Sequence, residues 1–248
     1  PMKTIALQLY TVRQALAQDP ESTLRRVREI GFRAVETAPL PPGLSPERLG
    51  GLVRDAGLEV VAAHDELPWG DDAREICERA RTLGASKLIW HGWPRQPLCD
   101  SLAGYRQLAE RCAEAARIAH EHGLELGLHN HWWECEPLEG EIPWMQVHQA
   151  LPAEIFFELD VYWARTAGLD PAALLGALGQ RVGFLHLKDG PAVHGQPMTA
   201  LGDGVVDLAS VLARAPSSAV GVVELDECVG DPFEAAARSL AFLRARGV

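Results

Sequence analysis

Short apolar runs alternate along the whole chain with longer amphipathic stretches rich in Ala, Leu, Arg and Glu. The runs fall at residues 4–9, 34–36, 59–63, 87–90, 125–129, 155–160, 183–187 and 221–225. Runs this short, bounded by turn residues, suit buried strands. Between them an apolar stripe of helical period predicts helices over 21–30, 46–56, 73–83, 105–122, 171–178 and 232–246, with a weaker one over 141–150 that holds Pro143. Punctuation agrees. Asp19-Pro20, Asp170-Pro171 and Asp231-Pro232 each place a capping carboxylate before a proline at the first turn. Gly31, Gly57, Gly84 and Gly123 each stop a helix just ahead of a strand. This rhythm of helix, glycine and strand predicts an α/β fold. Eight strands in such an order predict a closed (β/α)8 TIM barrel, and the 248 residues match one such domain spanning 1–248. An open doubly wound sheet is the alternative, but no Gly-rich phosphate loop follows the first strand.

Hydrophobic residues make up 47% and charged residues 23%, enough apolar material for a large core. The net charge of −11 comes from 23 basic and 34 acidic residues. Lys3, Lys87 and Lys188 fall on strands and the arginines mostly on helices, so no basic stripe forms and nucleic acid is not an expected partner. Cys77, Cys99, Cys112, Cys135 and Cys228 are scattered with no CxxC pair, which argues against a disulfide framework or a structural zinc site. The start of the chain carries no basic-then-apolar leader and no run suits a membrane span, so a cytoplasmic location is expected, with no membrane partner.

In a barrel of this kind the chemistry gathers at the trailing ends of the strands. There the sequence places Gln8, Tyr10, Glu36, His64, Asp65, Glu66, Trp90, His91, His129, Asn130, His131, Glu134, Glu158, Asp160, His186, Lys188, Asp189, Glu224 and Asp226. The leading ends are nearly free of such groups, an asymmetry that solvation of strand ends does not explain. Residues two apart on a strand share a face, so Glu158 with Asp160, His186 with Lys188 and Glu224 with Asp226 point the same way. Carboxylates and an imidazole gathered at one buried point need a counter-charge, and a divalent cation is the natural one. A mostly carboxylate set favours one Mn²⁺ or Mg²⁺, with Zn²⁺, Co²⁺ or Fe²⁺ possible. Trp69, Trp90, Trp93, Trp132, Trp133 and Trp163 also follow strand ends, where aromatic faces stack on sugar rings or pack loops and interfaces. Gly202 and Gly204 around Asp203 read as turn geometry, not a phosphate grip.

The segments LQLYTVR at 7–13, LHNHWWE at 128–134, FELDVYW at 157–163, HLKDG at 186–190, LGDGVVD at 201–207 and VVELD at 222–226 resemble, in order and over nearly the whole chain, the sugar phosphate isomerase/epimerase family of xylose-isomerase-like barrels. The resemblance implies a metal held by Glu134, Asp160, His186 and Glu224. Two departures stand out: the family's usual HNHDFEF is here His129-Asn130-His131-Trp132-Trp133-Glu134-Cys135 followed by other residues, and Asp203 stands where the family has Glu. Glu134 lies past the end of its strand, so His129 and His131 remain open as the strand-five ligand. The implied activity is isomerisation or epimerisation of a keto-sugar or polyol. Glu134 and Glu224 would act as catalytic base and acid, and Gln8, Glu36, His64, His129, His131, Trp163 and Lys188 would bind substrate. Glu158 reads as a supporting residue. A homo-oligomer is compatible with this reading. Alternatives are a 3-keto-glycoside lyase or hydrolase using the same site, an endonuclease IV-like nuclease, which the acidic charge disfavours, and an inert sugar-binding barrel.

Overall fold

The computed structural model describes residue 2 and residues 4–248; Lys3, assigned above to a strand, lies outside the described residues. Eight strands, β1 (Ile5–Gln8), β2 (Ala34–Thr37), β3 (Glu59–Asp65), β4 (Lys87–Trp90), β5 (Glu125–His129), β6 (Phe156–Asp160), β7 (Val182–Leu187) and β8 (Val220–Val223), pair in parallel and in sequence order. β1 also pairs with β8, which closes the barrel. Each strand matches an expected run to within a few residues. The caps are as expected too: Asp19, Asp170 and Asp231 accept hydrogen bonds from the backbone N–H of Ser22, Ala172 and Phe233. Gly31 and Gly84 take left-handed conformations at the ends of their helices.

Three short helices escape the periodicity: Arg13–Gln18, Val161–Thr166 and Leu208–Arg214. Each is too brief to show an apolar stripe. Val161–Thr166 begins directly at the end of β6, where Asp160 Oδ1 accepts from Trp163 N at 2.8 Å. That cap fixes the carboxylate, leaving its other oxygen to face the barrel. No helix among the described residues is long and apolar enough to cross a membrane.

The barrel interior begins with an apolar layer of Ala6, Ala34, Ala62, Ile89, Phe184 and Val222, to which Phe156 and Val220 add. The alanines of β1, β2 and β3 leave room that the two phenylalanine rings occupy from the other side, 5.5 Å apart. Gly127 makes this possible, since a Cβ there would lie 2.3 Å from the Phe156 ring.

Outside the barrel the long helix Leu102–Glu121 starts at Ser101, whose hydroxyl accepts from Gly104 N at 3.0 Å. Gly104 packs on the turn before it so closely that a Cβ would sit 2.0 Å from the Leu98 carbonyl oxygen. Gly104→Ala is therefore expected to cost about 1–3 kcal/mol through overpacking against backbone. Urea unfolding measures it, and an unchanged midpoint would show that the Leu98 turn yields freely.

Candidate active site

Two residues beyond the apolar layer, on the same strand faces, stand Gln8, Glu36, His64, His91, His129, Glu158, His186 and Glu224. The two-residue strand period thus turns an apolar floor into a polar tier within one step. At the centre of this tier His186 Nε2 lies 2.7 Å from Glu36 Oε1 and 3.1 Å from Glu158 Oε1. His64 Nε2 lies 2.5 Å from Glu158 Oε2 and 3.2 Å from Glu36 Oε1. Gln8 donates from Nε2 to Glu36 Oε1 at 2.8 Å. Burial, aided by the Glu158 charge, pushes Glu36 up to about 7. Burial works against a charged His186, but Glu158, Glu224 and Glu36 outweigh it and hold its pKa well above the ordinary imidazole value.

A second tier lies nearer the mouth. Lys188, 1% exposed, reaches Asp160 Oδ2 at 2.9 Å, Glu224 Oε2 at 2.6 Å and Asp226 Oδ2 at 2.9 Å. Glu224 Oε2 is also 2.8 Å from His186 Nδ1. Burial opposes ionisation of Asp160 and Glu224, yet Lys188 and the neighbouring imidazoles hold both well below the usual carboxylate range. Burial pushes His129 down to about 4, so its ring is neutral at pH 7, and its Nε2 lies 3.3 Å from Asp160 Oδ2.

The structure therefore brings together Asp160, His186 and Glu224, and sets His129 beside them. Glu134 does not join them. Its Oε2 accepts from His131 N at 2.8 Å, and burial on the Cys99 and Tyr105 side pushes its pKa up to about 7. The chain leaves the β5 alternation right after His129, because Asn130 turns sideways: its Oδ1 accepts from Asp160 N at 2.8 Å, tying the end of β5 to that of β6. His131 stacks on Trp133 at 4.2 Å, its ring 9° from parallel. Glu158, read from sequence as supporting, is a full member of the inner cluster. Its E-x-D spacing with Asp160 was the available signal. Asp226 was visible as a strand-end carboxylate, and its bond to Lys188 required the closed barrel to see.

Above both tiers opens a cavity of about 320 Å³ lined by Gln8, Tyr10, His64, His91, His129, His131, His186, Lys188, Glu224 and Asp226, with Trp93, Trp132 and Trp163 as walls. Glu36 lies behind this lining, fully buried. A further cavity of about 330 Å³ adjoins it, sharing Trp93 and Trp132 and adding Arg95, Trp133 and Glu136. Trp90 and Trp144 are core residues, and Trp69 lies under Arg111 with its indole N–H on Glu114.

The loop after β7 is held from inside by Asp189. Its Oδ1 accepts from Gly190 N (2.9 Å) and Val206 N (3.1 Å), and its Oδ2 from Gly202 N (2.9 Å) and Gly204 N (3.2 Å). A Cβ on Gly204 would lie 2.1 Å from Asp189 Oδ1. The Gly-Asp-Gly segment is thus a close wrap around a buried carboxylate, and its own Asp203 pairs outward with Arg238.

The barrel resembles a sugar phosphate isomerase/epimerase from Parabacteroides distasonis, with 22% identity, 99% of this chain and 94% of that chain covered, and a TM-score of 0.81. It resembles a D-allulose 3-epimerase from Methylomonas sp. at 17% identity, with 99% of each chain covered and a TM-score of 0.72. An IOLI protein with a bound zinc atom aligns at 14% identity over 98% of this chain and 99% of that one, with a TM-score of 0.73. At such identities the likeness establishes the common architecture. No curated protein matches the sequence. The family profile of the xylose isomerase-like TIM barrels matches residues 24–246, nearly the whole of the barrel, and the chain belongs to that family.

Proposed function

We propose that this protein is a divalent-metal-dependent sugar isomerase or epimerase that moves a proton beside a carbonyl or hydroxyl of a keto-sugar or polyol. The observation that carries the proposal is the mouth cavity, with buried ligating and charged groups at its base and three tryptophans as walls. Sugar isomerase and epimerase activities in similarly folded proteins support it.

The residues fit a metal. His129, Asp160 and His186 bring ligand atoms within 4.8 Å of one another, all buried, and Glu224 adjoins His186. We assign the ion to His129, Asp160, His186 and Glu224, with His129 in the place that the family resemblance gave to Glu134. Two imidazoles with two carboxylates make a softer set than three carboxylates with one, which moves the expected ion from Mg²⁺ toward Mn²⁺, Fe²⁺, Co²⁺ or Zn²⁺. A divalent ion there supplies Lewis acidity, polarising a carbonyl oxygen so that the neighbouring C–H becomes more acidic.

The chain's own groups do the rest. Glu224 lines the cavity on the β8 side and accepts the proton. The Lys188 ammonium steadies the enediolate oxygen. His131 also lines the cavity, is kept neutral at pH 7 by burial and the nearby Lys188, and exchanges a proton on the other face, the role that the family resemblance gave to Glu134. Trp93, Trp132 and Trp163 cover the ring's apolar face and exclude water; Gln8 and His64 bind hydroxyls.

A lyase or hydrolase acting on 3-keto-glycosides is the second reading. The adjoining cavity across Trp93 and Trp132 favours it, since a leaving group needs such room. Both reactions start with the same proton abstraction. NMR of keto-sugars and 3-keto-glycosides in D₂O with the Mn²⁺-loaded protein tests the pair. Deuterium at the carbon next to the carbonyl without net cleavage supports the epimerase, and aglycone release supports the lyase. Glu224→Gln, which removes both the proton acceptor and a metal ligand, should slow exchange by at least about 10²-fold. No exchange on any such sugar, with the metal bound, would sink both.

A further inference from the structure

Among the described residues, the inner cluster lacks the lysine that the mouth tier has, and its carboxylates face imidazoles and an amide instead. At the mouth, three carboxylates already face the Lys188 ammonium. Below it, Glu36 and Glu158 are each 0% exposed and, among the described residues, neither pairs with a lysine or arginine. Among the described residues, their only hydrogen-bond or ion-pair side-chain partners are Gln8, His64 and His186. Glu36 Oε2 is buried and has no hydrogen-bond partner among the described residues. A buried carboxylate oxygen with nothing to satisfy it is costly. One ligand atom from each of Glu36, His64, Glu158 and His186 falls within 4.8 Å of the others, the spacing that a single ion spans.

We propose that Glu36, His64, Glu158 and His186 form a second seat for a divalent transition ion, below the mouth and separate from the one assigned above. Two imidazoles and two carboxylates suit Zn²⁺, Co²⁺, Fe²⁺ or Mn²⁺ better than Mg²⁺, which prefers oxygen ligands and retains its waters. The four ligands come from β2, β3, β6 and β7, so the seat exists only when the barrel is closed. His186 serves both seats: Nε2 faces Glu36, and Nδ1 faces Glu224 at the mouth. Filling both seats would require one ring nitrogen of His186 for each ion, with its N–H protons released to solvent.

Equilibrium dialysis of the full chain against Co²⁺, followed by metal analysis, tests this. The expected result is one ion in each seat of the unaltered protein, with one ion lost in Glu36→Gln and one lost in Glu224→Gln, each variant keeping the circular dichroism of the parent. A single ion that stays in Glu36→Gln and leaves in Glu224→Gln overturns the inner seat and leaves the mouth assignment standing. A single ion that leaves in Glu36→Gln and stays in Glu224→Gln upholds the inner seat and overturns the mouth assignment. No bound ion overturns both. Where Glu36→Gln does not fold, His64→Asn carries the same expectations.

Discussion

Lys188→Met is expected to destabilise the metal-free protein by about 3–5 kcal/mol at pH 7, the cost of removing one partner from a buried charge cluster. The side chain is 1% exposed and its ammonium faces Asp160, Glu224 and Asp226, so the variant leaves three carboxylates without their cation. The pH dependence follows from the directions of the shifts. In the parent, Asp160 and Glu224 are held below the ordinary carboxylate range, so their contribution to stability is present above about pH 4 and fades as pH falls further. In the variant burial acts without Lys188 to oppose it, and these pKa values rise. A carboxylate with a raised folded pKa loses stability as pH rises, so the gap between variant and parent should be widest near neutrality and shrink toward about pH 4. A divalent ion at the proposed seat of His129, Asp160, His186 and Glu224 would replace the lost positive charge. Saturating Mn²⁺ should therefore stabilise the variant more than the parent. Urea midpoints with and without Mn²⁺, at two pH values, measure all of this. Equal midpoints for variant and parent at neutral pH would show that the ammonium is not what balances these carboxylates.

Asp189→Ala is the other large effect. The residue is 1% exposed, and its two oxygens receive the N–H groups of Gly190, Gly202, Gly204 and Val206. Hydrogen bonds to a charged group contribute about 1.5–3 kcal/mol each, and stranded donors add a further cost. Because the loop can relax and let water reach some of them, the expected loss is about 3–5 kcal/mol, not the full sum. For a domain of this size that lowers Tm by roughly 10 °C. The effect should reach the site as well, since Asp189 follows Lys188 directly and its loop packs on the end of β7. Asp189→Asn keeps the shape and part of the acceptor capacity, so it should lose less. If Asn and Ala variants melt together, the carboxylate charge is not what orders the loop.

Much of this barrel is legible in its sequence, for a local reason. The strand runs are short and apolar, and Gly31, Gly57, Gly84 and Gly123 mark where helices give way to them. The polar tier is legible for the same reason, because the two-residue period carries Ala6 to Gln8, Ala34 to Glu36, Ala62 to His64 and Phe184 to His186. What is illegible depends on closure or on a turn. Glu36, Glu158 and His186 meet across the barrel, and no spacing along one strand can show that. Glu134 follows Asn130, whose sideways bonds to Asp160 end the alternation of β5, so no periodicity says where a side chain four residues later points. The family resemblance assigned Glu134 a metal; the geometry sets His129 beside Asp160 instead. The helix Val161–Thr166 is too short to show a stripe, yet its first turn is what fixes Asp160.

The apolar layer of Ala6, Ala34, Ala62, Ile89, Phe184 and Val222, with Phe156 against it, makes the barrel a cul-de-sac. Among the described residues that floor is apolar, and the cavity opens on the other side, where Trp93, Trp132 and Trp163 form walls. An ion bound for the proposed inner seat would have to arrive before a sugar, and a product would have to leave before the next molecule entered. Under the proposed function, a bound sugar would therefore block metal loading, and product would compete with substrate for the same entrance.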